Sequence, residues 1–119
     1  MQMRSMKKTV LVLFLILFGA PSAFAESPAV TTAINKVVAA YKKYGKQVSS
    51  LSMSCIMFMR EDGDPGEIDI AAREDHNKGC GGDPDVAPIV ARFIVKKNKV
   101  FIEDPIDMSQ HPFDASYKG

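Results

Sequence analysis

Apolar residues between positions 30 and 44 recur with the spacing of one helical face. The recurring residues are Val30, Ile34, Val37, Val38, Tyr41 and Tyr44. Ser27 is of a type that caps helix N-termini, and Pro28 is tolerated at the first helical position because no N–H is needed there. Gly45 follows the last apolar residue and is a common helix terminator. The pattern therefore predicts a helix over residues 28–44.

The next segment, residues 51–60, alternates with the period of two that is typical of a β-strand. One face of this strand carries Leu51, Met53, Cys55, Met57 and Met59. The other face starts polar and ends with Ile56 and Phe58, so that end of the strand could be covered on both sides. We interpret the methionines as adaptable core packing, although thioether sulfurs are also ligands for copper(I).

Three further strands follow a turn of Asp, Gly and Pro residues at 61–66. The second strand spans residues 67–73 and the third spans 89–96. A short turn at 97–99 leads to a fourth strand at 100–103. The residues predicted to face the core from the second and third strands are Ile68, Ile70, Ala72, Ile89, Ala91, Phe93 and Val95.

One helix followed by four strands, with mostly hairpin-length connections, predicts an α+β domain. In that fold the helix packs on one face of a four-stranded antiparallel sheet. The tail from Asp104 contains prolines and is predicted to end loosely. This order of elements resembles small exported modules of cystatin-like or PepSY-like architecture, and the likeness is one of architecture rather than of motif.

The first 25 residues have the three parts of a secretory signal peptide. The basic head carries Arg4, Lys7 and Lys8, and an apolar run follows at residues 9–20. Ala23 and Ala25 are the small residues of the cleavage point. The apolar run is shorter than the roughly 20 residues of a membrane span, so a retained anchor is the less favoured interpretation. We therefore expect cleavage before Glu26 and export to a bacterial periplasm or secretion beyond it.

Removal of residues 1–25 leaves 94 of the 119 residues, a length that suits a single domain over 26–119. This part of the chain has 12 basic and 14 acidic side chains, a net charge of −2. Such a balance offers no electrostatic basis for nucleic-acid binding, and no segment after residue 26 is apolar enough to span a membrane. We interpret a cluster of lysines as a solvated helix face; it comprises Lys36, Lys42, Lys43 and Lys46.

Cys55 and Cys80 are the two cysteines of the chain. In an oxidising compartment they allow one intramolecular disulfide, which would stabilise the domain by about 3–4 kcal/mol on the chain-entropy model. The alternatives are a buried free thiol at Cys55 and an exposed Cys80 that pairs between two chains. We favour the intramolecular bond, because a domain of this size has a modest core.

Residues 74–88 are predicted to form a long polar loop. Glycines permit backbone conformations that other residues avoid, and loops on a rigid sheet often carry binding residues. The string His76-x3-Cys80-Gly81-Gly82-Asp83-Pro84 resembles a motif of small uncharacterised exported proteins of Gram-negative bacteria. The resemblance covers residues 67–104 and implies no activity. The candidate binding residues are His76, Lys78, Gly81, Gly82 and Asp83.

Other chemical interpretations of these polar segments are weaker. A nucleophile pair of His76 and Cys80 lacks a third residue that orients the base. A zinc site that adds Cys55 and a carboxylate lacks a Cys-x-x-Cys spacing. The glycines are not followed by the Lys-Ser/Thr of a phosphate loop. The acidic cluster at residues 62–69 lacks the distal Glu of a calcium loop.

We therefore predict a non-enzymatic binding protein with no catalytic residue, metal ligand or bound cofactor. It would present the loop or a sheet edge to another envelope protein, for example to inhibit a cell-wall hydrolase or to neutralise a toxin. The main alternative is a periplasmic module that responds to a metal or a small ligand through the loop and the methionine face. A small enzyme that uses His76 and Cys80 is the third possibility.

Overall fold

The computed structural model describes residues 27–119, and the predicted signal peptide at 1–25 lies outside them. One helix and five strands follow one another along the chain: α1 (Pro28–Tyr44), β1 (Ile56–Glu61), β2 (Ile68–Glu74), β3 (Ile89–Lys96), β4 (Lys99–Glu103) and β5 (Gln110–Pro112). All neighbouring strands pair antiparallel in the order β1-β2-β3-β4-β5. The fold is an α+β meander with α1 packed on one face of the sheet.

The helix has the boundaries that its sequence predicts. The Ser27 side chain accepts a hydrogen bond from the Val30 N–H at 3.3 Å, and Pro28 occupies the first turn. Gly45 follows the last helical residue, as predicted, and it keeps a right-handed conformation with φ −65°. The ring of Tyr41 lies where a Gly45 side chain would be, so the glycine allows the aromatic ring to pack.

Aromatic rings join the helix to the centre of the sheet. Tyr41 makes edge contacts with Phe58 and with Phe93, with ring centroids 5.5 and 6.1 Å apart. Phe93 also packs against Phe113, which comes from the segment after β5, at 4.9 Å. The buried core residues around these rings are Ala33, Val37, Tyr41, Ile56, Ile70, Ala72, Phe93, Val95, Ile102 and Phe113.

The first strand differs from its prediction in start and in facing. A 3₁₀ turn at Met53–Cys55, capped by Ser52, precedes β1, so the strand begins at Ile56 rather than at residue 51. Ile56 and Phe58 face the core, whereas Met57 and Met59 lie on the opposite face. The prediction that the methionines of this segment pack in the core is therefore wrong for Met57 and Met59, whereas Met53, in the turn before β1, does pack against the core. Because both faces of this segment are apolar, alternation alone could not decide which one is buried.

A bulge changes the facing of the start of β3. Ala72 pairs with Ala91, but Arg73 pairs with Ile89, so Val90 is an extra residue in the ladder. Val90 packs against the core, and Ile89 is exposed, which corrects the prediction that Ile89 faces inward. The other predicted inward residues of β2 and β3 do face the core.

The sheet has five strands rather than four, because the predicted loose tail returns to it. Asp104 accepts backbone hydrogen bonds from Ile106 and Asp107 at 2.7 and 3.2 Å and so forms a tight turn. The Phe113 N–H then donates to the Val100 carbonyl at 3.0 Å. The strand itself is Gln-His-Pro, too short and too polar for a periodic signal, and burial of Phe113 holds it in place.

Candidate binding loop

The connection between β2 and β3 spans residues 75–88 and is tied to the start of β1 by a disulfide. Cys55 and Cys80 are bonded, with Cα atoms 5.7 Å apart and 25 residues apart in sequence. This confirms the predicted intramolecular pairing. A disulfide of this kind indicates an oxidising, extracytoplasmic location.

The His76 side chain closes the loop on itself. Its Nδ1 lies 2.6 Å from the Asp83 carbonyl oxygen, and its Nε2 lies 2.8 Å from Glu74 Oε1. Both partners are acceptors, so both ring nitrogens donate only when the imidazole is protonated. The hydrogen bond to Glu74 is the main cause of a raised pKa for His76, and the Asp83 carbonyl adds to it.

Two glycines shape the backbone beside this histidine. Gly81 and Gly82 have φ angles of +73° and +84°, which glycine adopts at little cost. A Cβ on Gly82 would lie 2.8 Å from the His76 ring, whereas one on Gly81 would meet no atom within 4 Å. Gly82 therefore provides both the backbone conformation and the room that His76 needs, and Gly81 provides only the conformation.

Asn77 is a structural residue of the loop that the sequence analysis missed. Its Nδ2 donates to the Ser54 carbonyl at 3.1 Å, and its Oδ1 accepts from the Gly79 N–H at 2.9 Å. The side chain thus bridges the loop to the turn before β1, beside the disulfide. An Asn two residues before a Gly-rich run is a turn signal that could have indicated this role.

Arg73 connects the loop to the face of the sheet that α1 leaves open. Its Nη1 donates to the Ala87 carbonyl at 2.9 Å, and its Nη2 lies 3.3 Å from Glu61 Oε2. Glu61 also accepts from Arg92 Nε at 2.9 Å. The hydrogen bond from Arg92 is the largest cause of a lowered pKa for Glu61. These contacts hold the far end of the loop against three strands.

The candidate residues separate into a supporting group and a presented group. His76 is turned inward, with only 12% of its side chain exposed, so it supports the loop. Lys78, Gly81, Gly82 and Asp83 are exposed. Two neighbours that the sequence analysis did not select, Asp85 and Val86, are exposed beside them, and Val86 is 48% exposed.

The presented surface is polar and acidic with one apolar contact. Asp83 Oδ1 accepts the Asp85 N–H at 2.9 Å, which orders the backbone, while the Asp85 side chain makes no hydrogen bond to another residue between 27 and 119. The disulfide leaves neither Cys55 nor Cys80 as a thiolate, the form that a nucleophile or a zinc ligand requires. The arrangement can therefore bind through shape and charge, and in this oxidised form it offers no activated sulfur.

No family model matches the chain, and neither a curated protein nor a solved structure is significantly similar to it. The resemblance to exported Gram-negative proteins and the named architectures accordingly stay predictions. In the part of the chain from 27 to 119, no helix combines the length and the apolar character that a bilayer span requires.

Proposed function

We propose that this protein is a non-enzymatic binding protein of the periplasm, exported through its first 25 residues, that presents the loop at 75–88 to another envelope protein. The observation that carries the proposal is the contrast within the loop. Its backbone is held at several points, while the side chains at 77–79 and 81–86 remain exposed. Surface segments that stay polar yet rigid lose little conformational entropy on binding.

Three contacts that preorganise the loop do not involve the presented side chains. The disulfide holds its middle, the His76 ring holds its two halves together, and Arg73 holds its end. Such restraint is uncommon in a connection that only links two strands, since hairpin connections are usually two to five residues long. A long connection that is ordered by several dedicated contacts is typical of a binding segment.

The chemistry of the presented residues indicates the partner's surface. Asp83 and Asp85 contribute two acidic side chains to the presented surface, Lys78 contributes one basic side chain, and Val86 supplies an apolar contact. A complementary partner would have a basic rim around a small apolar depression. An envelope hydrolase or a toxin with such a surface near its active site would be inhibited when the loop covers it.

Affinity capture from a periplasmic extract tests the proposal, with the oxidised protein as bait. The test variant is Asp85→Lys, which reverses a charge without removing a described hydrogen bond. The matched control is Asp62→Lys, since Asp62 is also an exposed acid and lies in the β1–β2 turn at the other end of the strands. We expect one stoichiometric partner with the native protein and with Asp62→Lys, and at least a tenfold weaker capture with Asp85→Lys.

Two outcomes would count against this function. A bait that retains no protein at near-stoichiometric level removes the binding role. A partner that is captured equally well by native protein and by Asp85→Lys, but lost with Asp62→Lys, assigns the contact to the opposite end of the sheet. Export is tested separately, since N-terminal sequencing of the mature protein should begin at Glu26.

A second candidate function is a response to a small ligand, and one observation favours it. A groove of about 530 Å³ lies at the end of α1, between Tyr41, Lys46 and Met53. The Tyr41 hydroxyl is buried and has no hydrogen-bond partner among residues 27–119. The volume is in the usual range for small-molecule sites, and a lysine at the rim suits an anionic ligand. Native mass spectrometry of the protein purified from periplasmic extract would detect such a ligand as a discrete added mass. A spectrum that contains only the mass of the protein would remove this candidate.

The metal-responsive form of that candidate is tested by elemental analysis. The described residues 27–119 contain no group of three or more His, Cys, Asp or Glu side chains placed to hold a metal ion. Thioether sulfurs bind copper(I), and Met57 and Met59 share the open face of the sheet. Less than about a tenth of an equivalent of copper in protein purified without added metal would remove this form.

A further inference from the structure

The first strand, β1, is an outer strand of the sheet, with β2 on one side only. All six of its residues pair with β2 in one unbroken register. The Asp75 N–H donates to the Cys55 carbonyl at 2.8 Å, which extends the same ladder by one pair. Hydrogen-bonded pairs alternate in an antiparallel ladder, so Met57, Met59 and Glu61 direct their backbone groups toward β2.

The intervening residues direct their backbone groups away from the sheet. These outward groups are the N–H and C=O of Phe58 and Arg60 and the C=O of Ile56, while the Ile56 N–H donates to Met53 in the 3₁₀ turn. Within residues 27–119, no hydrogen bond outside the β1–β2 ladder occupies the groups of Phe58 and Arg60. An edge of this kind is a template for another strand.

The two outer strands differ in how well they are protected. The other outer strand, β5, has three residues and ends in Pro112, which has no N–H to offer. Short edges and prolines are common protections against strand addition. β1 has neither a proline nor a bulge against β2, and Met59 on its open face is 46% exposed. The structure therefore leaves one long edge available for pairing.

We propose that β1 pairs antiparallel with β1 of a second copy of this chain, with Phe58 of the two copies opposite each other. The outward groups of the two strands then meet in phase. Phe58 exchanges two hydrogen bonds with Phe58 of the second copy, and each Arg60 N–H donates to the Ile56 carbonyl of the other chain. Four intermolecular hydrogen bonds form without opening the turn before β1.

The side chains favour the same register. With Phe58 on the two-fold axis, Met57 lies opposite Met59 of the second copy, on the face that α1 does not cover. The exposed Met59 of each copy then covers the half-buried Met57 of the other, as apolar cross-strand pairs do in natural sheets. A shift of one position toward Glu61 makes as many hydrogen bonds, but it places Met57 opposite Glu61, whose carboxylate is paired with Arg73 and Arg92. The paired methionines therefore select the register centred on Phe58.

The pairing is independent of the loop's partner, because it needs only purified protein. Sedimentation of the oxidised mature protein up to about 1 mM measures it, since one strand pair buries less than the roughly 1,200 Å² of a standard interface and would be weak. Met59→Lys places a cation at the seam in both copies. Ile106→Lys is the matched control, because Ile106 is 92% exposed in the turn after β4. We expect concentration-dependent dimers for the native protein and the control, and at least a tenfold weaker dimer for Met59→Lys.

Amide hydrogen exchange identifies the surface that pairs. The N–H groups of Met57 and Met59 are bonded to β2 and should exchange slowly at every concentration. Those of Phe58 and Arg60 point outward, and they should exchange fast in the monomer and slow down as the dimer forms. A protein that stays monomeric up to 1 mM overturns the proposal. So does a dimer in which the Phe58 and Arg60 amides keep their fast exchange.

Discussion

The imidazole of His76 occupies the space that a side chain at Gly82 would need, since a Cβ built there lies 2.8 Å from the ring. The same ring bonds the carbonyl of Asp83, so the close approach is part of the clamp. The neighbouring Gly81 has a similar φ but open space around it. A side chain at Gly81 would therefore strain only the backbone conformation, whereas a side chain at Gly82 would strain the backbone and also collide with His76.

Gly82→Ala should destabilise the protein more than Gly81→Ala. A left-handed conformation costs a residue with a Cβ about 1–2 kcal/mol, and both variants have that cost. Only Gly82→Ala also displaces His76, so we expect a loss of at least about 2 kcal/mol for it. Urea denaturation of both variants measures the difference. Equal losses would mean that the contact with His76 adds nothing.

The His76 clamp should make stability depend on pH. The folded pKa of His76 is raised, chiefly by the Glu74 hydrogen bond, above its ordinary value of about 6.5. The stabilisation is therefore fully present below about pH 6.5 and is lost as the pH rises through the folded value. Denaturation curves between about pH 5 and 9 should show unfolding free energy falling over that window.

His76→Gln is the control for this pH dependence. It keeps a polar side chain of similar reach, it cannot titrate, and it leaves His111 in place. The fall in stability between neutral and alkaline pH should disappear in the variant. A variant with the same slope as the native protein would assign the effect to another group.

Loss of the disulfide should weaken the domain and free the loop. The bond closes a segment of 25 residues between Cys55 and Cys80, which corresponds to about 3.5 kcal/mol on the chain-entropy model. We expect the double variant Cys55→Ser/Cys80→Ser to lose about that much in unfolding free energy. Amide exchange should rise most at residues 77–86 and least in β3 and β4. Uniform acceleration across the sheet would show that the bond stabilises the whole domain without ordering the loop in particular.

Replacement of Asp69, on the face of the sheet that α1 leaves open, should stabilise the protein. Its Oδ1 is buried without a hydrogen-bond partner among the described residues, and the carboxylate lies against Gly63. Burial is the main cause of its raised pKa, and the nearby acids Glu67, Asp64, Glu103 and Glu61 raise it further. A raised acid pKa means that stability is present at low pH and is lost as the pH rises through the folded value.

Asp69→Asn removes that charge and should therefore be more stable than the native protein at pH 7. We expect a gain on the order of 0.5 kcal/mol, because the carboxylate is only partly buried and solvent screens it. The two proteins should approach equal stability at about pH 3, where the native side chain is protonated. A lower melting temperature for Asp69→Asn at pH 7 would show that the ionised carboxylate has a favourable partner.

Several parts of this protein were determined by the sequence alone. The helix over Pro28–Tyr44 follows from a local repeat, a capping serine and a proline, all of which act within one or two turns. The inward residues of β2 follow from an alternation of apolar and polar positions that is interrupted by Ala71. The Cys55–Cys80 bond follows from a count, since two cysteines in an oxidising compartment have one intramolecular pairing. The helix and the inward residues of β2 depend on interactions between near neighbours in the sequence. The disulfide depends on the chemistry and the number of the cysteines rather than on their positions in the fold.

Only the tertiary structure decided the rest. Both faces of β1 are apolar, and which one meets the helix depends on the turn before it and on the packing of Tyr41 against Phe58. The fifth strand exists because Phe113 reaches a core that is distant in sequence. His76 faces inward because Glu74, Asp83 and the space above Gly82 converge on its ring. Contacts between residues that are far apart along the chain produce no periodic pattern in the sequence. These contacts decide which loop residues hold the loop in place and which are presented to solvent.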